Sequence, residues 1–331
     1  MRLEVARERV PLSAPFVITG YTFTDVGVVV ARLEDRGAAG MGEAAGVYYL
    51  GDDLDHMCAA IEGVRREVEA GIDRQALRQL LPAGGARNAL DCALWDLEAR
   101  LSGQPVWKLA GLERPRALQT THTIGADTPE AMAAKATGYA GARQLKLKLT
   151  GDVALDTERV RAVRRARHDV WLGVDANQGY DRVKLAAILP DLIACQVKLV
   201  EQPFARGCEA DLEGLRRPIP VAADESVQGL ADIEPLVGRF DMVNIKLDKC
   251  GGLTEGLAMA AEARRLGLGV MVGNMVGTSL AMAPAWILGQ VCDLRDLDGT
   301  LFIARDRRPS IVFEQGAVSY PAGGWGDPAR V

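Results

Sequence analysis

Histidine is almost missing from this chain. Only three occur in 331 residues, at positions 56, 122 and 168, and they share no ligand spacing, which excludes a zinc centre built on imidazole. Cysteine is sparse as well: six thiols at 58, 92, 195, 208, 250 and 292 form no CxxC pair and read as buried or incidental thiols of a reducing compartment. No uninterrupted apolar stretch approaches the ~20 residues that a bilayer span requires. The opening MRLEVARERVPLSAPF carries charges where a secretion signal needs an apolar core, so the expected location is the cytoplasm. A basic tract is lacking too, with 39 Lys and Arg against 44 Asp and Glu and a net charge of −5; nothing draws the chain to nucleic acid. The nearest thing, RVRAVRRAR (159–167), spaces Val160 and Val163 as an amphipathic helix does, with its arginines on a solvated face.

What remains is an ordinary globular composition, 48% hydrophobic and 25% charged, in a chain long enough for two domains or one large barrel with an appendage. The first part mixes signals. VGVVVARLED (26–35) reads as a strand, and a Gly-rich turn leads to GMGEAAGVYY (40–49). In ARNALDCALWDLEARLSG (86–103), Leu90, Ala93, Leu94, Leu97 and Leu101 mark one apolar helix face, and Gly103 and Pro105 stop it. This is a mixed α+β unit of a little over a hundred residues.

From about residue 117 strands and helices alternate. Strand candidates are 119–125, 144–149, 170–176, 197–202, 220–226, 242–248 and 268–274, with a more polar eighth ending near 292–298. Seven or eight βα units with short links predict a closed parallel barrel. Lys148, Asp175, Glu201, Asp224 and Lys246 then close five successive strands, at separations of 27, 26, 23 and 22 residues, about one βα unit each. Any one aspartate after a strand is usually a cap or turn residue. Five charges at corresponding strand ends are a different matter, because that end of such a barrel carries the active site.

Three carboxylates converging at a barrel mouth would repel one another strongly. A divalent cation resolves the conflict, and an all-oxygen ligand set suits Mg²⁺. Lysines on the flanking strands would stand on opposite sides of it. A metal-bound carboxylate substrate has an acidified α-proton, since the metal stabilises the developing enediolate, and a lysine near a cation has a depressed pKa and acts as a base. One lysine would remove the proton and the other return it, inverting the α-carbon. In QLKLKLTGD (144–152), Lys146 shares a strand face with Lys148 and would supply positive charge to it and to the substrate carboxylate.

KLKLTGD, VDANQGY, VEQP, ADES and NIKLDKCGG, together with ALDCALWDLEARLSGQPVWKLAGL (89–112), resemble the motifs of the enolase superfamily, muconate-lactonizing subgroup. The resemblance runs through nearly the whole chain. It implies an α/β fold, a modified (β/α)7β TIM-type barrel over 116–307. The α+β capping domain is expected over 1–115, completed by the C-terminal tail 308–331. It implies Asp175, Glu201 and Asp224 as ligands of one Mg²⁺, Lys148 and Lys246 as the acid/base pair, and Asn177 and Glu225 as neighbours of ligands rather than ligands. The subgroup includes cycloisomerases, o-succinylbenzoate synthases, N-acylamino acid racemases and dipeptide epimerases.

In RDLDGTLF (295–302), Asp296 and Asp298 lie two apart, so both can face the pocket, and two unpaired carboxylates there call for a substrate α-ammonium. A DxD at this place resembles the dipeptide epimerases, which hold the dipeptide's N-terminus with it. The expected function is therefore a two-lysine dipeptide epimerase acting on the C-terminal residue, with an N-acylamino acid racemase or o-succinylbenzoate synthase as the alternative. A barrel kept only as a binding scaffold is a third reading, disfavoured by the full set of lysines and carboxylates. By resemblance Thr123 contacts substrate, and Tyr21 and Phe23 fall in a capping loop. At the seventh strand, many dipeptide epimerases read GCM followed by an acidic residue. GNMVGTS, with Asn274 and Gly277, departs from that. The expected partners are a small dipeptide and further copies of this chain, with no nucleic acid and no membrane.

Overall fold

The structure, a computed structural model, describes residues 1–18 and 21–329, without the side chains of residues 16–18 and 21. Strands β1 (Arg2–Ile18) and β2 (Tyr21–Asp35) form a long antiparallel ribbon from Arg2↔Glu34 to Ile18↔Tyr21, with a register shift between Pro11 and Phe16. Proline lacks an N–H for the ladder, and the irregularity lies beside it. The far end of the ribbon rests on the barrel mouth, where Ser13 N donates to Phe302 O (2.8 Å) and Ala304 N to Pro11 O (2.8 Å).

Strand β3 (Ala38–Ala44) completes this sheet along β2. Helices α1 (Leu54–Gly63), α2 (Arg65–Glu69), α3 (Arg74–Leu80), α4 (Gly85–Ser102) and α5 (Val106–Leu109) follow. The approach of β3 to α4 requires glycine: a Cβ on Gly42 would stand 2.1 Å from Ala89 O, and one on Gly40 2.3 Å from Ala93 O.

The single apolar face expected for α4 is half of the finding. Leu90, Ala93, Leu94 and Leu97 pack into the core of the cap, while Cys92, Trp95 and Ala99 pack into the main core shared with the barrel. The helix is buried nearly all round, which is why its polar residues have fixed partners. Arg87 donates to Gly251 O (3.2 Å), Leu81 O (3.2 Å) and Cys250 O, and Asp91 accepts from Thr254 N (3.0 Å) and Thr254 Oγ1 (2.5 Å).

Strand β4 (Leu118–Gln119) precedes eight parallel strands: β5 (Thr121–Ile124), β6 (Gln144–Lys148), β7 (Trp171–Asp175), β8 (Leu199–Glu201), β9 (Val221–Ala223), β10 (Met242–Lys246), β11 (Gly269–Gly273) and β12 (Leu294–Arg295). They are hydrogen-bonded in sequence order from β5 to β12. Thr120 Oγ1 accepts from Leu297 N (2.8 Å) and donates to Arg295 O (3.4 Å), drawing the last strand against the first.

Expected as one strand, 119–125 is broken at Thr120, whose N–H turns away to Gly316 O (3.0 Å). Residues 118–119 pair instead with the tail hairpin β13 (Val312–Glu314) and β14 (Ala317–Ser319). Beyond the hairpin, Trp325 Nε1 donates to Met41 O (2.9 Å) and Gly326 N to Asp96 Oδ1 (2.7 Å), so the tail returns to β3 and α4.

Outside the strands lie α6 (Pro129–Gly138), α7 (Val153–Ala166), α8 (Arg182–Ala194), the one-turn α9 (Leu247–Cys250), α10 (Leu253–Arg265) and α11 (Ser279–Gly289). The arginine face of α7 is only partly solvated. Arg161 is exposed, but Arg159 and Arg167 are buried, and Arg167 donates to Tyr139 O and Ala142 O (both 2.7 Å). Among the described residues no helix is long and apolar enough to cross a membrane.

Candidate active site

Alternation along each strand sorts the barrel into layers. Leu145, Leu147, Leu172, Val174, Val243, Ile245, Val270 and Val272 face out into the main core. Inward, Trp171, Leu199, Ala222, Met242, Met271 and Leu294 form a separate apolar floor. Two residues further along the strands the interior turns polar: Lys146, Glu201, Asp224, Asn244 and Asp296 stand above that floor, with Lys148, Asp175, Lys246 and Asp298 at the same end of the barrel. Ladder register fixes neighbours directly, pairing Lys148 with Asp175 and Asp175 with Glu201. Gly273 leaves room here, since a Cβ on it would meet Asn244 Oδ1 at 2.7 Å and Lys246 Cε at 3.0 Å.

Asp175, Glu201 and Asp224 are all buried, and each offers an oxygen within 4.8 Å of the others. Lys148 donates to Asp175, and Lys246 donates to Asp224 at 2.6 Å, so the lysines approach the triad from its two flanks. The expected neighbour Asn177 donates to Asp175 from both its backbone N (2.8 Å) and its Nδ2 (3.2 Å). Two supporting residues went unread in the sequence. Asn244 Nδ2 donates to Glu201 Oε1 (2.6 Å), and buried Lys249 on α9 donates to Asp224 Oδ1 (2.6 Å) and Asn244 O (3.1 Å). Gln202, at φ 34°, accepts from Asp224 N (2.9 Å) and Ser226 N (3.1 Å) and so shapes the turn that carries the ligand.

Six carboxylates (Asp175, Glu201, Asp224, Glu225, Asp296, Asp298) share this space with four ammonium groups (Lys146, Lys148, Lys246, Lys249), a shortfall of two positive charges. The balance shows in the titration of individual groups. Burial and the neighbouring Asp224 push the Glu225 carboxyl up to about 7. Burial raises Asp224 as well, but Lys246 and Lys249 outweigh it and hold that carboxyl well below the ordinary range. For Lys246 burial pulls downward, and Asp224 and Glu201 overcome it and hold the ammonium well above a normal lysine. The depressed base expected from the sequence is thus not produced by the protein's own charges at this position. Three hard oxygens, a charge shortfall of two and the buried, unpartnered Glu225 Oε2 and Asn177 Oδ1 together fit a divalent ion such as Mg²⁺.

The aspartate pair differs from its expected unpaired state. Asp296 accepts from Thr121 Oγ1 and from Lys146, whose Nζ also donates to Glu201 at 3.0 Å. Lys146, expected to supply positive charge to Lys148 and to the substrate carboxylate, therefore bridges the triad to the pair. Asp298 accepts from Thr123 N (2.5 Å), and burial together with Asp296 raises its carboxyl to about 7. Asp298 is the member of the pair left wanting a cation.

A cavity of about 400 Å³ lies over these groups, lined by Lys146, Lys148, Lys246, Asp224, Glu225, Asp296, Asp298, Thr123 and Asn274 below and by cap residues above. Asn274 donates to Met275 O (2.8 Å). Its loop is held by buried Glu43 of β3, which accepts from Thr278 N (2.7 Å) and Thr278 Oγ1 (2.5 Å). Phe23 lines the cavity and meets Tyr48 edge-on at 5.2 Å; the side chain of Tyr21 lies outside the described residues. Asp248, buried beside the cavity, accepts from Ala45 N (2.9 Å) and Gly46 N (3.0 Å) and ties the end of β10 to the cap.

Residues 130–326 match the family model described as enolase C-terminal domain-like, and residues 1–111 match the mandelate racemase / muconate lactonizing enzyme N-terminal domain. An L-Ala-D/L-Glu epimerase of Escherichia coli (strain K12) is 42% identical over 316 residues, 95% of this chain and 98% of that one. An N-acetyl-D-glutamate racemase of a Pseudoalteromonas species is 39% identical over 239 residues, 72% of this chain and 75% of that one. Among solved structures, an enolase family member from Agrobacterium tumefaciens with homology to dipeptide epimerases, holding sodium and L-Ala-L-Glu, is similar with a TM-score of 0.93 and 41% identity, covering 97% of both chains. A dipeptide epimerase from Methylococcus capsulatus, complexed with Mg and L-Arg-D-Lys, has a TM-score of 0.90 and 31% identity, covering 96% of both.

Proposed function

The chain belongs to the mandelate racemase / muconate lactonizing enzyme family of the enolase superfamily, and from that premise we propose that it is a Mg²⁺-dependent dipeptide epimerase inverting the α-carbon of the C-terminal residue. One observation carries the reading. Two lysines flank a buried carboxylate triad, and beside them stands Asp298, a carboxylate in want of a cation.

Asp175, Glu201 and Asp224 would hold the ion, with Asn177, Asn244 and Lys249 fixing their orientation. When bound, the ion would supply positive charge beside the substrate carboxylate, where negative charge develops as the α-proton leaves, and would compete with Lys148 and Lys246 for Asp175 and Asp224. Lys148 Nζ accepts the α-proton on one face of the substrate, and Lys246 Nζ delivers a proton to the other; in the reverse direction they exchange roles. By family resemblance Lys148 serves the L epimer and Lys246 the D epimer. Asp298 pairs with the dipeptide's α-ammonium, and Thr123 orients that carboxylate through its backbone N–H. Lys146 holds Asp296 in place and leaves Asp298 to the substrate. In this reading residues 116–307 carry the chemistry, while 1–115 with the tail 308–331 close the site. Six free cysteines, five of them buried, suit a reducing cytoplasm.

The identity to an N-acetyl-D-glutamate racemase favours an N-acylamino acid as the alternative substrate. Such a substrate has no ammonium to offer Asp298. A panel of dipeptides and N-acylamino acids, incubated in D₂O with Mg²⁺ and read by mass shift, separates the two. Deuterium entering dipeptides with inversion is expected. Exchange confined to N-acylamino acids would replace this reading with the racemase, and no exchange in either class would leave a scaffold.

A further inference from the structure

On the epimerase reading Lys148 and Lys246 would stand on the two faces of the reacting carbon, with its other substituents in the plane between them. The carboxylate would be directed to the triad and the peptide nitrogen toward Asp298 on the β12 side. The remaining substituent, the C-terminal side chain, would then meet the cap residues that line the cavity.

From the contacts on that side we infer that the enzyme prefers dipeptides with an apolar C-terminal residue, although a relative 42% identical to it is named for glutamate; the inference rests on the epimerase reading above. The carbon of the wall comes mainly from Leu12, Phe23, Val26, Tyr48, Val276 and Phe302. Tyr48 and the neighbouring Tyr49 add hydroxyls that carry no charge at neutral pH, and the charged groups stand at the rim. Among the described residues, Arg9 is the one cation lining the cavity from the cap. Its guanidinium already pairs with Asp25 at 2.6 Å and is turned outward, with its side chain 71% exposed.

Aspartates at the rim are committed as well. Asp52 accepts from Gly85 N (2.6 Å) and meets His56 Nδ1 (2.8 Å), Asp53 caps α1 by accepting from His56 N (2.9 Å), and Asp55 pairs with Arg7. A glutamate side chain would surrender its hydration against carbon with no free cation to meet it, and a lysine would meet only rim aspartates that already accept hydrogen bonds or ion pairs. A leucine or phenylalanine side chain surrenders little and buries apolar area.

Wild-type enzyme with Mg²⁺ should give kcat/KM values for L-Ala-L-Leu and L-Ala-L-Phe at least about tenfold above those for L-Ala-L-Glu and L-Ala-L-Lys. Phe23→Arg should narrow or reverse the Leu-to-Glu ratio by placing a cation in the wall, with far-UV circular dichroism confirming its fold. If that variant is inactive on every dipeptide, the wild-type ratio alone decides. L-Ala-L-Glu or L-Ala-L-Lys turned over best would overturn this inference and leave the epimerase reading standing. Exchange with N-acetylamino acids and with no dipeptide would overturn the epimerase reading itself.

Discussion

At the barrel end of the cavity, charged side chains are engaged with one another before any ligand arrives: Lys146 spans Glu201 and Asp296, Lys148 meets Asp175, and Lys246 and Lys249 share Asp224. At the cap end the charges are engaged outward, toward solvent and helix ends, and carbon faces the cavity. The barrel end is mounted on adjacent strands whose ladder sets every spacing, so its geometry belongs to the fold. The cap end is assembled from a ribbon tip, a 3₁₀ turn at Tyr48–Leu50 and the loops after β11 and β12. Rigid strands suit a proton transfer that tolerates little displacement, and loops suit a boundary that only has to match a side chain.

If that division holds, substitutions at the barrel end should abolish chemistry, and those at the cap end should redistribute it. The largest loss is expected from Asp175→Asn, Glu201→Gln or Asp224→Asn. Each should lower kcat by about 10³-fold or more, since a neutral amide cannot replace an anionic oxygen on a hard ion. Isothermal titration with Mg²⁺ should show the binding loss in parallel. Full turnover in any of the three would place the ion elsewhere.

Next come the two lysines. Lys148→Ala and Lys246→Ala should each abolish interconversion of epimers. Lys246→Ala should still exchange the α-proton of the L,L-dipeptide in D₂O without inversion, and Lys148→Ala that of the L,D-epimer. Epimerisation surviving in either variant would falsify the two-base assignment.

An intermediate effect is expected where the barrel end meets the dipeptide's amino terminus. Asp298→Ala should cost at least about 2 kcal/mol more in kcat/KM on dipeptides than on N-acylamino acids, the loss typical of removing one partner from a desolvated charge pair. Asn244→Ala, which frees Glu201 without touching charge, should weaken Mg²⁺ binding about 10–100-fold.

Least visible in turnover is a stability effect at the seam between the two ends. Burial holds the Asp248 carboxyl up at about 7, against roughly 3.9 in an unfolded chain. Between those values the folded state binds more protons than the unfolded one, so this residue's contribution to stability falls as pH rises from about 4 to about 7 and is flat above. Asp248→Asn keeps an oxygen for Ala45 N and Gly46 N and removes the ionisation. Its melting temperature relative to wild type should therefore rise across that window, and parallel melting curves from pH 5 to 8 would contradict the assignment.

Most of the barrel end was legible because strand periodicity and a βα repeat are visible in any sequence that has them. The same rule reached further than it was applied. The alternation that pairs Lys146 with Lys148 also pairs Asn244 with Lys246, yet an asparagine in an apolar strand drew no attention. Lys249 was hidden by a different geometry: it follows Lys246 by three residues, one turn of α9, a helix whose first two residues were expected to end the strand. Asp296 was misjudged as unpaired because its partner Lys146 lies 150 residues away and had been assigned to another neighbour. Most of the cap wall could not be read at all. Phe23 was picked out, but the position of Tyr48 and Phe302 beside the same cavity depends on a ribbon bending over a barrel, and no local pattern encodes that.

The double burial of α4 has a consequence for modular engineering. With one flank in each core, and with Arg87 and Asp91 bonded across to residues 250–254, this helix belongs to neither unit alone. A barrel excised at the start of β4 would lose the lid over its own core, so the two units should melt as one transition and resist expression apart. Exchange of caps between relatives, the obvious route to new substrates, would have to cut on the far side of α4 or carry the 250–254 segment along as a matched graft.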